Sequence, residues 1–504
     1  MKRMRTVLKR ILGLLIVALL LLIGIGSWNL SQFQSRQLQL SPVAVLALDE
    51  STVEEHLSAA IQIPTVSLSM AKLTADSSLH QLRSYLETTF PHLHQLPFIR
   101  RTGIDFGDEL NPSVLLEWPG RQPQLEPILL MSHMDVVPAE RSSLDQWTHP
   151  PFSGKSDGEF IWGRGTIDCK HGVMGILEAV SQLVDEGFQP DRTVFIALGH
   201  DEELGGASGN KKIAEWMRSQ GHKLHLILDE GGCIFTEFPG LQGRPAALVG
   251  IAEKGYLNVE LKVDLASEQV GHSSMPPAET AISILSSAVH KAQTHPLPAR
   301  TEVAMRETLQ YIGPEMPSAL SRFAMANMWL FQPLIERTLS AKPSGNAMLR
   351  STIASTMITG GTLPNVLPNQ AVATLNIRLM PGDSNEAILQ HLTTTIGDDR
   401  VAIDMVPPGS EASAISSTQS APFQQLHRTI REISNDVVVA PFVLVGATDT
   451  VHYADLCNHI YRFIPTRLSE ADTRRFHGVN ERIAKANYFE IIRFYHQFIK
   501  NTTQ

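Results

Sequence analysis

Four short stretches place carboxylates or imidazoles directly behind candidate strands. Ser132-His133-Met134-Asp135 follows the run 127–131, and Asp168-Cys169-Lys170 follows residues 162–167. Gly199-His200-Asp201-Glu202-Glu203 follows 192–198, and Asp229-Glu230-Gly231-Gly232 follows 224–228. Late in the chain, Arg475-Phe476-His477-Gly478 adds another imidazole. Taken singly, these are ordinary turns, helix starts and surface histidines. Together they gather oxygen donors and a few imidazoles, the set that suits Zn²⁺ in a catalytic site with an open position. The adjacent glutamates Glu202 and Glu203 fit such a site if one binds metal while its neighbour takes a proton from the attacking water.

For these loops to meet, the runs before them must be strands of one sheet, because open α/β sheets bind ligands outside the carboxyl ends of their strands. The runs are short and continuously apolar, as in strands covered on both faces. Val173, Ile176, Leu177, Val180 and Leu183 recur at three-and-four spacing and predict a helix over about 171–187. A second helix is expected over about 206–219. This alternation predicts an α/β fold for residues 51–250. The texture changes at 251–380. Segments 256–263 and 375–379 alternate apolar and polar residues, as in strands with one wet face. Between them lie a helical stretch near 279–293 and a Pro- and Met-rich segment, 295–350. The simplest organisation is an α+β unit over 251–380 inserted into the first domain, which resumes over 381–504 and ends in a helix, 484–500. Met305, Met316, Met325, Met328 and Met348 either pack a helical insertion, the preferred reading, or line an apolar groove.

The N-terminus has a different character. Lys2, Arg3, Arg5, Lys9 and Arg10 precede an uncharged stretch from Ile11 to Trp28. At 1.5 Å per residue that stretch is about 27 Å long, enough to cross a hydrocarbon core of roughly 30 Å. The basic flank predicts a cytoplasmic N-terminus, a single-pass transmembrane anchor over 1–28 and a catalytic body on the other side. The alternative is a cleaved signal and a secreted or periplasmic body, although the exit lacks a convincing Ala-x-Ala. Residues 29–50 read as a stalk. The whole chain of 504 residues has 42 Lys plus Arg against 51 Asp plus Glu, a net charge of −9 that gives no footprint for nucleic acid. Its three cysteines exclude a disulfide framework.

The stretches SHMDVVP, GRGTIDCKHGV, GHDEELGG, LDEGG and FHGVNER resemble the M20 family of co-catalytic zinc metallopeptidases, most of all its carboxypeptidase S and N-acyl-amino-acid hydrolase branch. The resemblance covers roughly 50–500 and implies a zinc-peptidase-like mixed sheet flanked by helices, with an inserted lid domain. It also implies two zinc ions per chain. His133 and Asp229 would hold one, Glu203 and His477 the other, and Asp168 would bridge them. Asp135 would stand behind His133 and fix its tautomer. Glu202 would be the general base and later the acid. Cys169 would be no ligand, since the family's site uses oxygen and nitrogen. In the lid, His272 would help stabilise the oxyanion, while Asn365 and Arg378 would hold the substrate's free carboxylate; a structural ion pair is the alternative for Arg378. Gly446-Ala-Thr-Asp-Thr450 resembles a substrate-side loop, and the lid is where a homodimer would form. The implied activity is hydrolysis of an amide or peptide bond beside a free carboxylate. An N-fatty-acyl-amino-acid amidohydrolase and a metal-free binding scaffold remain as alternatives.

Overall fold

The structure is a computed structural model that describes residues 2–67, 77–94, 100–101, 111–265, 271–301 and 303–504. Its body is a ten-stranded sheet among these residues. Val194–Gly199 pairs in parallel with Ile128–His133, which pairs in parallel with Leu226–Asp229, followed by parallel Ile460–Arg462. The first three strands are buried along their whole length, which is why they read as unbroken apolar runs. Because they are parallel neighbours, their carboxyl ends open side by side on one edge of the sheet. Three of the acidic and histidine-bearing loops are thereby delivered to one crevice.

The fourth loop depends on the helix Lys170–Asp185, which begins immediately after Asp168 and Cys169. All five residues of the expected stripe are buried, but so are Met174, Gly175 and Ala179, so the helix is enclosed nearly all round. Two glycines permit that closeness. A Cβ on Gly172 would meet Ser132 Oγ at 2.7 Å and Ile464 at 2.9 Å, and one on Gly175 would meet Ile491 at 2.8 Å. Ile491 belongs to the C-terminal helix Lys485–Thr503, which seals the outer side of the layer. The second expected helix is shorter than its pattern and runs Asn210–Ser219.

The inserted unit has its own antiparallel sheet, in the order Thr352–Gly360, Gln370–Leu379, Gly255–Asp264, Val401–Ser410. The alternation expected for Gly255–Asp264 and Gln370–Leu379 is present residue by residue, with Leu257, Val259, Leu375 and Ile377 turned into a separate core. Helices Ala281–Thr294 and Asn385–Ile396 cover that face. The first of them opens on a reciprocal cap between Thr280 and Ser283. The boundaries 251–380 therefore need correction at two places. The sheet takes its fourth strand from beyond 380, so the unit runs to Ser410. Its Pro- and Met-rich segment, in contrast, folds as Val303–Ile312, Ala319–Ala326, Met328–Ser340 and Pro343–Leu349 and packs on the body. Ala304, Tyr311 and Ile312 enter the main core, and Thr308 Oγ1 donates to the Pro441 carbonyl at 2.7 Å. Met305 is buried in a small satellite cluster with Met325, Met328 and Met348 packed against it, and Met316 packs on the main core, although Met325 and Met328 also border a groove.

The N-terminal helix spans Lys2–Gln32, longer than the apolar stretch alone, and its apolar side chains are exposed. The stalk expected over 29–50 is instead a strap from Phe33 to Asp49 laid along the body. Gln37 is buried: its amide donates to the Val439 carbonyl at 2.9 Å and accepts from the Val439 N–H at 2.8 Å, closing the outer edge of the strand Val438–Leu444. Arg431 and Arg493 donate to the Leu38 and Leu46 carbonyls. Backbone polar groups held in this way bind the strap to the fold, a feature that no hydropathy pattern encodes.

His427 sits in the helix Ala421–Ile433 against the rings of Tyr311 and Phe423, and neither ring nitrogen has a hydrogen-bond partner among the described residues. Burial, aided by the charge of Arg431, pushes its pKa from the ordinary 6.5 down to about 4. The unfolded chain thus takes a proton that the native state resists. The stability this group contributes is complete above about pH 6.5 and is lost as pH drops towards 4, by about 2 kcal/mol at pH 5. Denaturant midpoints measured across this range should lose part of their pH dependence in His427→Phe; an identical profile would show that the imidazole is not the group responsible.

Candidate active site

Asp168 is the centre of the crevice. Its two carboxylate oxygens face two imidazoles: Oδ1 lies 3.2 Å from His133 Nε2 and Oδ2 lies 3.0 Å from His477 Nε2. Glu230 Oε1 lies 3.3 Å from the same His133 nitrogen, and Glu203 Oε2 lies 3.3 Å from that of His477. One carboxylate thus spans two imidazole–carboxylate groups. Donor atoms of His133, Asp168 and Glu203 all fall within 4.8 Å of one another.

The orientation of His133 follows from what its other nitrogen touches. Nδ1 is 2.9 Å from the Asp135 carbonyl oxygen and 3.4 Å from Asp135 Oδ1, so it carries the donated hydrogen and Nε2 is left to face the crevice. The fully buried Asp135 carboxylate has a second task. It accepts the backbone N–H groups of Glu202 and Glu203, each at 3.2 Å, and so ties the glutamate loop to the histidine strand. Asp201 stiffens the same loop by accepting from Ser208 and Gly209.

His477 reaches the site from the far end of the sequence through a buried clamp. Arg164 Nη1 lies 2.5 Å from Glu481 Oε2, and Glu481 Oε1 accepts from the N–H groups of Gly165 and Ile167. Arg164 also donates to the Gly478 carbonyl. The loop bearing Asp168 and the loop bearing His477 are therefore held as one piece.

Electrostatics mark the cluster as short of positive charge. Burial pushes the Glu202 carboxyl well above its ordinary range, and it raises Glu203 as well. Asp229 rises to about 7, from burial and the neighbouring Glu230. Burial opposes charge on His133, but Glu230, Asp135 and Asp168 outweigh it and raise its pKa. Hydrogen bonds to Asp168 and Glu203 push His477 up to about 10. Glu203 Oε1 is buried and has no hydrogen-bond donor among the described residues. An unpaired buried oxygen among crowded carboxylates, with imidazole nitrogens beside them, is the environment a hard dication satisfies.

The structure thus gathers His133, Asp135, Asp168, Glu202, Glu203 and His477, with Asp229 buried beside them and a further carboxylate added. The carboxylate that reaches His133 from the third strand end is that of Glu230. Asp229 is the last strand residue, in register with Arg462, and Glu230 follows it directly. Sequence reasoning also passed over Arg164 and Glu481, although both stand inside the motifs it singled out. Cys169 is fully buried and its thiol is pushed well up by burial, so it is held as a neutral thiol beside Ser132.

The lid residues lie apart from this cluster, with no hydrogen bond or ion pair to it among the described residues. His272 and Asn365 share one corner of the lid: His272 pairs with Val366, and the Ser273 N–H donates to the Asn365 carbonyl. Arg378 lies over the Tyr256 ring at 4.9 Å from its centroid, and no carboxylate pairs with it among the described residues, so the ion-pair alternative is not seen. The loop Gly446–Thr450 is locked into the body, with Asp449 accepting from Asn210 at 2.5 Å and Thr448 and Thr450 donating to Glu253.

Residues 129–501 match the model of peptidase family M20/M25/M40. The probable carboxypeptidase S-like 2 of Dictyostelium discoideum is 38% identical over 503 residues, covering 98% of this chain and 94% of that one. The human N-fatty-acyl-amino acid synthase/hydrolase is 36% identical over 455 residues, with 89% and 87% covered. Among solved structures, the M20 family metallo-carboxypeptidase Sso-CP2 of Sulfolobus solfataricus aligns with a TM-score of 0.61 at 17% identity, over 90% of this chain and 99% of that one. Human carnosine dipeptidase 1 aligns at 0.62 and 16%, over 90% and 96%. The protein belongs to peptidase family M20/M25/M40, and it is a hydrolase of amide bonds.

Proposed function

We propose that this protein hydrolyses an amide bond adjacent to a free carboxylate, as a carboxypeptidase S-like metallopeptidase with two zinc ions per chain. The observation that carries the reading is the position of Asp168 between two imidazoles. His133, Asp168 and Glu230 form one donor set, and Asp168, Glu203 and His477 the other. Zinc held by these residues would supply Lewis acidity and a water of lowered pKa.

The side chains do the rest. Glu202 accepts the proton of the attacking water at a carboxylate oxygen and returns it to the leaving nitrogen. Its burial raises its proton affinity, which suits both halves of that task. Asp135 positions Glu202 and Glu203 through their backbone N–H groups. His272 stabilises the oxyanion from the lid, and Asn365 and Arg378 bind the substrate carboxylate. The absence of a carboxylate partner for Arg378 among the described residues supports that role. A homodimer through the lid belongs to the same reading and is supported by Met357 and Ile358, exposed on the strand Thr352–Gly360. The N-terminal helix crosses a membrane with its basic end in the cytoplasm, supported by its length and exposed apolar side chains. Relatives named for N-fatty-acyl amino acids favour a second reading, in which the acyl group is a fatty chain and the same residues perform the hydrolysis.

Two experiments test these roles. Zinc titration should show Glu230→Gln losing affinity at one site, roughly tenfold or more, while Asp229→Asn stays near wild type; the reverse order would restore Asp229 as the ligand. Glu202→Gln, assayed on dipeptides and on N-fatty-acyl amino acids, should keep its zinc and lose at least roughly a hundredfold in kcat on whichever class the wild type hydrolyses. Near wild-type turnover would remove Glu202 from the mechanism, and a greater preference for fatty-acyl substrates would select the second reading.

A further inference from the structure

The N-terminal helix is gripped where its apolar stretch ends. The buried Asn327 side chain donates to the Gly26 carbonyl at 3.1 Å and accepts from the Asn29 amide at 2.9 Å. A Cβ on Gly26 would meet the Phe323 ring at 2.5 Å, so glycine is what allows the two helices to touch. Phe323 and Asn327 belong to the helical insertion at Ala319–Ala326 and its junction with Met328–Ser340. If the N-terminal helix spans a bilayer, this junction must lie at the bilayer's surface, because the hydrocarbon core ends within a turn of Gly26.

The outer face of the insertion has the composition such a position demands. Leu320 is 76% exposed, Leu334 59%, Trp329 56% and Leu330 45%, an unusual concentration for surface facing water. Leu330, Pro333, Leu334 and Arg337 recur at three-and-four spacing along one helix, and all are exposed. Trp28 on the anchor and Trp329 on the insertion both stand exposed near the grip, with Trp329 Nε1 donating to Asn327 Oδ1. Tryptophans concentrate where hydrocarbon meets headgroups.

Charge agrees. From Pro317 to Lys342 the insertion carries Arg322, Arg337 and Lys342 against Glu336 alone, a local excess of positive charge in a chain of net −9. Glu336 is turned inward and accepts from Thr301. Arg36 and Arg306 line a groove of about 420 Å³ beside the grip, together with Phe33 and Met328.

We propose that the helices Ala319–Ala326 and Met328–Ser340 form a second membrane contact, an interfacial surface that rests on the leaflet next to the catalytic body, with Trp329, Leu330 and Leu334 among the acyl chains and the basic residues at the headgroup phosphates. The proposal rests on the reading of the N-terminal helix as a membrane span. It would hold the body at a fixed height above the leaflet, beside any substrate whose apolar tail partitions into it.

Spin labels on single cysteines in the full-length protein test this, in vesicles of phosphatidylcholine and phosphatidylglycerol. Labels at Leu330→Cys and Leu334→Cys are compared with the exposed Gln220→Cys on the body and Leu15→Cys in the anchor; the unsubstituted chain supplies the background from Cys233. Collision with dissolved oxygen relative to a water-soluble nickel chelate should be at least roughly fivefold higher at 330 and 334 than at 220, as for side chains entering the acyl boundary. Ratios equal to that at 220 overturn the proposal. So does protection from both reagents, which means that protein covers the face. If the label at 15 is itself as aqueous as that at 220, the spanning reading fails and the proposal with it. An anchor in lipid with 330 and 334 in water removes the second contact alone.

Discussion

A single carboxylate facing two imidazoles imposes most of what the fold must do. Asp168 can meet His133 only if the loop after residue 162 folds back over the end of the strand Ile128–His133, and it can meet His477 only if the C-terminal loop crosses to the same point. The pair Arg164 and Glu481, 317 positions apart in the chain, meets both needs by fastening one loop to the other in a fully buried ion pair. Such a pair is costly to desolvate, and removing one partner strands a buried charge. The backbone N–H groups of Gly165 and Ile167 offset part of that cost at Glu481. Asp135 performs the equivalent service on the other side, where one carboxylate connects the histidine strand to the glutamate loop.

This arrangement concentrates acids where a protein would ordinarily avoid them. Glu202, Glu203 and Asp229 have raised proton affinities because water is excluded and other carboxylates are near. Hydrophobic packing elsewhere must carry that burden: the core strands are buried along their length, and the helix Lys170–Asp185 is enclosed between sheet and C-terminal helix. Functional sites are where local rules of stability are broken and compensated from a distance.

Much of this was legible in the sequence because parallel buried strands leave an unmistakable pattern. Each apolar run ends abruptly in an acid or a histidine, and the parallel pairing brings those ends together. The alternating strands Gly255–Asp264 and Gln370–Leu379 were equally readable, since one wet face gives a period of two. What escaped depended on single-residue geometry or on long-range contacts. That Glu230 comes within 3.3 Å of His133 depends on where the strand before it ends, a matter of one position. The lid's fourth strand, Val401–Ser410, lies beyond a helix, so its pairing with Gly255–Asp264 was not visible in local texture. The strap over 33–49 is fixed by Gln37 and by arginines reaching backbone carbonyls, contacts that composition does not announce.

The central claim is that Asp168 serves two metal ions at once, and the metal content of the active enzyme addresses it most directly. Protein purified without chelators and assayed for turnover should contain about two zinc ions per chain by elemental analysis, and Asp168→Ala should lose both metal and activity because each site shares that oxygen donor. One ion per chain in fully active enzyme, or two ions retained by the Asp168→Ala variant, would contradict it.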